Sequence, residues 1–142
     1  MGDPYEQERV LATVTRLIIA GSRTVDPSFE EIDAAFDDIL FVKADVTEVV
    51  SGCAPGGDLA GERWATFNGI KIASFMINDA DRVAVGGSMK LAPKMRNRRM
   101  AEYGDLAIVF WDGLSGGSCD MTTRMVVRGK PARVIPTKKR KR

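Results

Sequence analysis

Apolar residues fall along this chain in short runs, separated by longer stretches where they recur every three or four positions. "RLIIAGSR" is one run, closing at Gly21, and "TEVVSG" is a second, leading into "CAPGGD". "IKIASFMI", "DLAIVFWDG" and "PARVIP" are three more. Brief apolar runs bounded by turn residues read as strands covered on both faces. Between them, "DPSFEEIDAAFDDILFVKA" has apolar residues at 29, 32, 36, 39 and 40, a helical spacing, with Asp26 and Pro27 placed to start it. "DLAGERWATFNG" predicts a helix stopping at Asn68-Gly69, "MRNRRMAEYG" one stopping at Gly104, and "CDMTTRMVVRG" one stopping at Gly129. From Asn78 to Lys94 no long helix is expected, because Gly86, Gly87 and Pro93 interrupt it.

Strand and helix patterns alternate throughout. This predicts an α/β domain: a Rossmann-like three-layer sandwich of about five parallel strands over residues 15–136. Residues 1–14 read as a polar lead-in and residues 137–142 as a basic tail. In such sheets ligands bind beyond the carboxyl ends of the strands, where strand order reverses. The loops after the first, second and fourth strands are "GSR", "SGCAPGGD" and "WDGLSGGS". All three are small and polar, and all emerge at that edge.

Composition narrows the chemistry. The 142 residues are 44% apolar and 28% charged, ordinary for a globular domain. No apolar run reaches the roughly 20 residues of a membrane span. The acidic, polar start does not read as a secretory signal. The net charge of +2 is an effect of the last five residues, "KKRKR"; without them 16 basic residues face 19 acidic ones. Two distant cysteines, Cys53 and Cys119, form neither a disulfide framework nor a zinc spacing, so a reducing cytoplasm is the expected location and no metal is expected. Histidine is absent, which removes the commonest general base.

What remains suits an anion. Each loop leads toward a helix N-terminus, where exposed N–H groups and the helix dipole favour phosphate. Ser22, Ser115 and Ser118 add hydroxyls, and Arg23 can clamp a phosphate. "PKMRNRRM" places Arg96, Arg98 and Arg99 where a helix is expected to begin, and an anion would offset their charge; at most two of them can face one site. Asp58 and Glu62, four apart, share a helix face, and a carboxylate there can hold ribose hydroxyls. Asp58 reads equally as a helix-start carboxylate. Trp64 and Phe67 read as core, and Trp111 as a candidate for base contact. The cysteines read as small residues filling tight space rather than as redox groups.

In combination, "IIAGSR", "VVSGCAPGGDLAGERWA", "APKMRNRRMAEYGDLAIVFWDGLSGGS" and "GKPARVI" resemble the SLOG superfamily, and within it the YspA-like branch of small bacterial and phage proteins. The resemblance spans roughly residues 16 to 136. It implies a Rossmann-like fold, a nucleotide-derived ligand, no required cofactor and a homodimer. Matching the branch pattern are Gly21, Ser22 and Arg23; Ser51, Gly52, Ala54, Gly56 and Asp58; Pro93, Arg96, Asn97 and Met100, with Cys53 and Gly57 as further candidate ligand residues between them. Phe110, Trp111, Asp112, Gly113, Ser115 and Gly117 complete it, with Gly116 and Ser118 as further candidate ligand residues. Cys53 stands where a glycine is usual, and Ser118 where threonine is.

Three functions follow. The first is a sensor or carrier that binds a nucleotide or related phosphate ligand through these residues. The second is a hydrolase of nucleoside 5′-monophosphates, resembling the LOG-type phosphoribohydrolases of the superfamily, with Arg96 and one of Asp120, Asp58 or Asp112, Asp120 first, as catalytic residues. Against it, the catalytic glutamate of those enzymes aligns with Met121, and Asp120 lies about 100° around the helix from that position. The third is a nucleic-acid binder resembling DprA, with the tail adding weak contact; the acidic body argues against a wider surface.

Overall fold

The computed structural model describes residues 15–38 and 41–140. Five strands form one sheet: β1 (Thr15–Gly21), β2 (Val46–Ser51), β3 (Lys71–Ser74), β4 (Leu106–Trp111) and β5 (Ala132–Pro136). All neighbours are parallel, in the order β3-β2-β1-β4-β5. The helices are α1 (Phe29–Ala34), α2 (Gly57–Phe67), α3 (Asp79–Ala84), α4 (Ala92–Tyr103) and α5 (Gly116–Val127). Strand order reverses at β1, and the crevice between the ends of β1 and β4 is the switch point.

The strand sequences carry no polar alternation because both faces are covered. Leu17 and Ile19 of β1, with Leu106, Ile108 and Phe110 of β4, pack on one side with Ile32, Phe36 and Trp64. Ile18 and Ala20, with Ala107 and Val109, pack on the other with Met100, Met121 and Met125. The first layer holds α1 and α2, the second α4 and α5. Trp64 is fully buried and donates its indole N–H to Asp33 Oδ1 at 2.9 Å. Phe67 is 73% exposed and rests on Phe29, with ring centroids 5.0 Å apart.

Several boundaries differ from the sequence pattern. Ser28, not Asp26 or Pro27, caps α1, in a capping box with Glu31; the helix tightens into a 3-10 turn at Ala35–Asp38. The apolar positions 39 and 40 lie outside the described residues. A short helix, α3, occupies Asp79–Ala84 inside the stretch where no long helix is expected, again capped by a box, here Asn78 with Asp81. Pro93 does not end a helix but stands in the first turn of α4, where its missing N–H costs nothing. Arg96, Arg98 and Arg99 therefore sit mid-helix, away from the positive end of the dipole. At the other end of α4, Lys130 Nζ donates to the carbonyls of Ala101, Glu102 and Gly104 at 2.8–3.0 Å. A cation there satisfies orphan carbonyls and complements the dipole.

Residues 137–140 do not hang free. Thr137 N–H donates to Trp111 O at 2.8 Å, and Arg140 N–H to Thr24 O at 2.7 Å. The Arg140 guanidinium lies 3.9 Å from Asp26. The tail thus runs along the loop after β1. Main-chain groups hold it there, which side-chain composition does not reveal.

Candidate functional site

Loops after β1, β2 and β4 meet at the switch point because glycines let their backbones touch. Gly57, opening α2, stands directly against the Cα of Gly21; a Cβ on Gly57 would overlap it. Gly56 has φ +90° and would also collide with the Ser22 carbonyl if it carried a side chain. Gly57 N–H donates to Ser22 O at 3.3 Å. Ser22, 1% exposed, joins the third loop as well: its Oγ accepts Asp112 N–H at 3.0 Å and lies 3.4 Å from Ser118 Oγ. Ser22 thus ties all three loops together and does not line the open cleft.

That cleft has a volume of about 510 Å³, within the range of small-molecule sites. One wall is the first turn of α5. The sequence pattern left Gly116, Gly117 and Ser118 in a loop, but they are helical, with Ser115 as the N-cap. The opposite wall is Gly21, Arg23, Ala54 and Asp58. Arg96 and Asn97 of α4 close the inner side, over a floor of Met100 and Met121.

Arg96 is the buried cation of the cleft, only 8% exposed. It donates through Nη1 to the Gly52 carbonyl, and through Nε to Asn97 Oδ1 at 3.1 Å. Burial pulls its pKa below the usual value, against the opposing pull of Asp58. Asp58 is 6% exposed and accepts Ala54 N–H at 3.2 Å. Desolvation pushes its pKa up to about 6, although Arg96 and the Ala54 N–H favour the charge. Its face-mate Glu62 accepts the Ser51 hydroxyl at 2.7 Å.

Two other carboxylates are committed to structure. Asp112 accepts Thr24 Oγ1–H at 2.6 Å and the N–H groups of Leu114 and Ser115 at 2.8 and 2.9 Å. These donors hold its carboxyl well below the usual range. Asp120 lies outside the cleft lining, accepting Asn97 Nδ2 at 3.1 Å and Arg124 Nε at 2.9 Å. Asn97 therefore bridges α4 and α5. Met121 is 1% exposed and forms part of the floor.

Of the remaining sequence candidates, Ser51 is fully buried, and Gly52 and Cys53 line a neighbouring hollow rather than the cleft. Cys53 has φ 65°, a left-handed conformation that glycine adopts more readily than cysteine. Trp111 and Gly113 do not line the cleft; the Trp111 indole N–H instead donates to Ser115 O at 3.0 Å, holding the loop that caps α5. Arg98 points outward to Glu102, and Arg99 binds both oxygens of buried Asp81. Lys90, Lys94 and Thr24 also line the cleft. No motif in the sequence marks the two lysines as site residues; Pro93 at a helix start is the signal for Lys94. Among the described residues, no cluster of three or more His, Cys, Asp or Glu side chains could hold a metal ion. Nor is any helix among them long and apolar enough to cross a membrane.

No protein-family model and no curated protein matches the chain. Among solved structures, the X-ray structure of DNA processing protein A (DprA) from Streptococcus pneumoniae is similar at 21% identity, with a TM-score of 0.62. The match covers 89% of this chain and 52% of that one, so the chain spans about half the length of that structure. The likeness is one of fold: a five-stranded parallel, Rossmann-like architecture.

Proposed function

We propose that the cleft binds a nucleotide or nucleotide-derived phosphate ligand, and that the protein acts as a sensor or carrier for it. The observation carrying this reading is buried Arg96, held on the Gly52 carbonyl and lining the same open cleft as the first turn of α5. A phosphate between them meets a guanidinium, the N-terminal end of a 12-residue helix and the Ser118 hydroxyl. Arg23, Lys90 and Lys94 add positive charge around it. Asp58, on the opposite wall, suits the hydroxyls of a ribose. Placement in the YspA-like branch and pairing into a homodimer belong to the same proposal, resting on the motif resemblance.

Turnover is not part of this reading. Cleaving a glycosidic bond needs a carboxylate near the carbon where positive charge develops. Met121 offers none, both oxygens of Asp112 accept from neighbouring donors, and Asp120, paired with Arg124, lies outside the cleft lining. A hydrolase of this design would have to work through Asp58.

The fold likeness to a DNA processing protein, together with a basic tail bonded to Thr24 at the cleft rim, favours single-stranded nucleic acid as the second reading. Mass spectrometry of the natively purified protein separates the two. A phosphorylated nucleoside that is released on denaturation and lost from Arg96→Ala is the expected result. A protein that carries no nucleotide and binds single-stranded DNA with a steep salt dependence overturns it in favour of the second.

A further inference from the structure

Beside the cleft, at the ends of β2 and β3, lies a second hollow of about 330 Å³. Three arginines line it: Arg23, Arg82 and Arg96, together with Cys53 and Met76. No acidic side chain does. Arg23, Ala54 and Arg96 line both spaces, so the two hollows share one cationic wall.

We propose that this hollow is a second anion subsite, and that the ligand is a pyrophosphate-bearing nucleotide with one phosphate on each side of the Arg23–Arg96 wall. The inference rests on the nucleotide reading above and narrows it to a ligand class.

The charges are arranged as an anion would require. Arg23 has no hydrogen bond or acidic partner among the described residues, and its guanidinium lies close enough to Arg96 to repel it. Asp58 offsets the charge of Arg96, but Arg23 and Arg82 leave the lining of this hollow net positive, which favours an entering anion. Arg82 is tied to Asp79 at 2.8 Å, but the Asp79 side chain is 99% exposed, and so open a pair holds an arginine weakly. Arg82 is thus available to a ligand. The shared wall sets the spacing. Two anionic groups flanking one pair of guanidiniums are neighbours, as in a diphosphate, not the distant ends of an extended molecule.

Cys53 reports on this hollow. Its thiol is partly exposed there, whereas Cys119 is exposed on α5 and serves as an internal reference. The test measures affinities for AMP, ADP, GMP and GDP without magnesium, and the rates at which iodoacetamide alkylates the two cysteines. The expected result is that a diphosphate binds about tenfold tighter than its monophosphate, the effect of one added charge-assisted hydrogen bond. A saturating diphosphate then slows alkylation of Cys53 and not of Cys119, while the monophosphate leaves both unchanged. Arg82→Gln abolishes the gain and keeps the monophosphate affinity. Equal affinities with Cys53 still reactive overturn the inference and leave the nucleotide reading standing. A gain that survives Arg82→Gln, or that leaves Cys53 unprotected, puts the second phosphate elsewhere and also overturns it. Binding of none of the four overturns the nucleotide reading and the inference with it.

Discussion

Asp58 and Arg96 crowd the same glycine from two different helices. A methyl group on Gly52 would lie 2.7 Å from the Asp58 carboxylate and 2.8 Å from the Arg96 guanidinium carbon. The bare backbone of Gly52 lets both side chains reach the end of β2 while its carbonyl anchors the arginine.

The buried charge of Asp58 makes stability depend on pH. Its folded-state pKa of about 6 lies above the ordinary value of 3.8, so between these limits the folded state holds a proton that the unfolded chain has released. Stability therefore falls as pH rises from about 4 to 6, by up to about 3 kcal/mol from this group, and is level beyond. Asp58→Asn keeps an acceptor for the Ala54 N–H and removes the charge. Urea titrations at several pH values should show the variant more stable than wild type at pH 8, with the gap closing toward pH 4. A gap that does not change with pH means that Asp58 does not titrate this way.

Two glycines at the cleft should respond oppositely to alanine. At Gly57 a Cβ overlaps the backbone of Gly21, so β1 and α2 must part; a loss of about 1–3 kcal/mol, as for overpacking, is expected. At Gly116 a Cβ meets nothing within 4 Å, and alanine favours the helix. Gly116→Ala should keep or raise the melting temperature while weakening nucleotide binding, because the new methyl group enters the space proposed for phosphate. Unchanged affinity in that variant would move the phosphate away from α5.

The floor of the cleft tests catalysis. Wild-type protein should release little or no free base from AMP. Met121→Glu places a carboxylate at the position that aligns with the LOG-type glutamate and should raise release above the wild-type level, measured by chromatography of the base. Wild-type turnover at about one per second or faster, an ordinary enzyme rate, would refute binding without chemistry, and Asp58 would be the residue to test first.

Much of this architecture is legible without coordinates, and the exceptions have physical causes. β1 and β4 are plain because strands covered on both faces must be apolar throughout, as Leu17 to Ala20 and Leu106 to Phe110 are. The meeting of three loops follows from the alternation of strand and helix. Helix starts were harder. Pro93, Gly116 and Gly117 all suggest a break, yet each is tolerated in a first turn, where N–H groups lack intrahelical partners. The choice among Arg96, Arg98 and Arg99 needed the boundaries of α4. Once its start at Ala92 is known, Ala92, Arg96 and Met100 fall four apart on the buried face, and the inward arginine is identified. Ser22 and Asp112 both fasten loops, Asp112 while also lining the cleft, and composition does not reveal that second role.

The most direct test of the central claim is calorimetric titration of the wild-type protein and Arg96→Ala with AMP, at one fixed pH and salt concentration. The account predicts saturable one-to-one binding to wild type and a loss of about 1.5–3 kcal/mol in the variant, the contribution of a hydrogen bond to a charged group. Saturable binding that is equally tight in folded Arg96→Ala would contradict it, because the buried guanidinium would then have no part in holding the ligand.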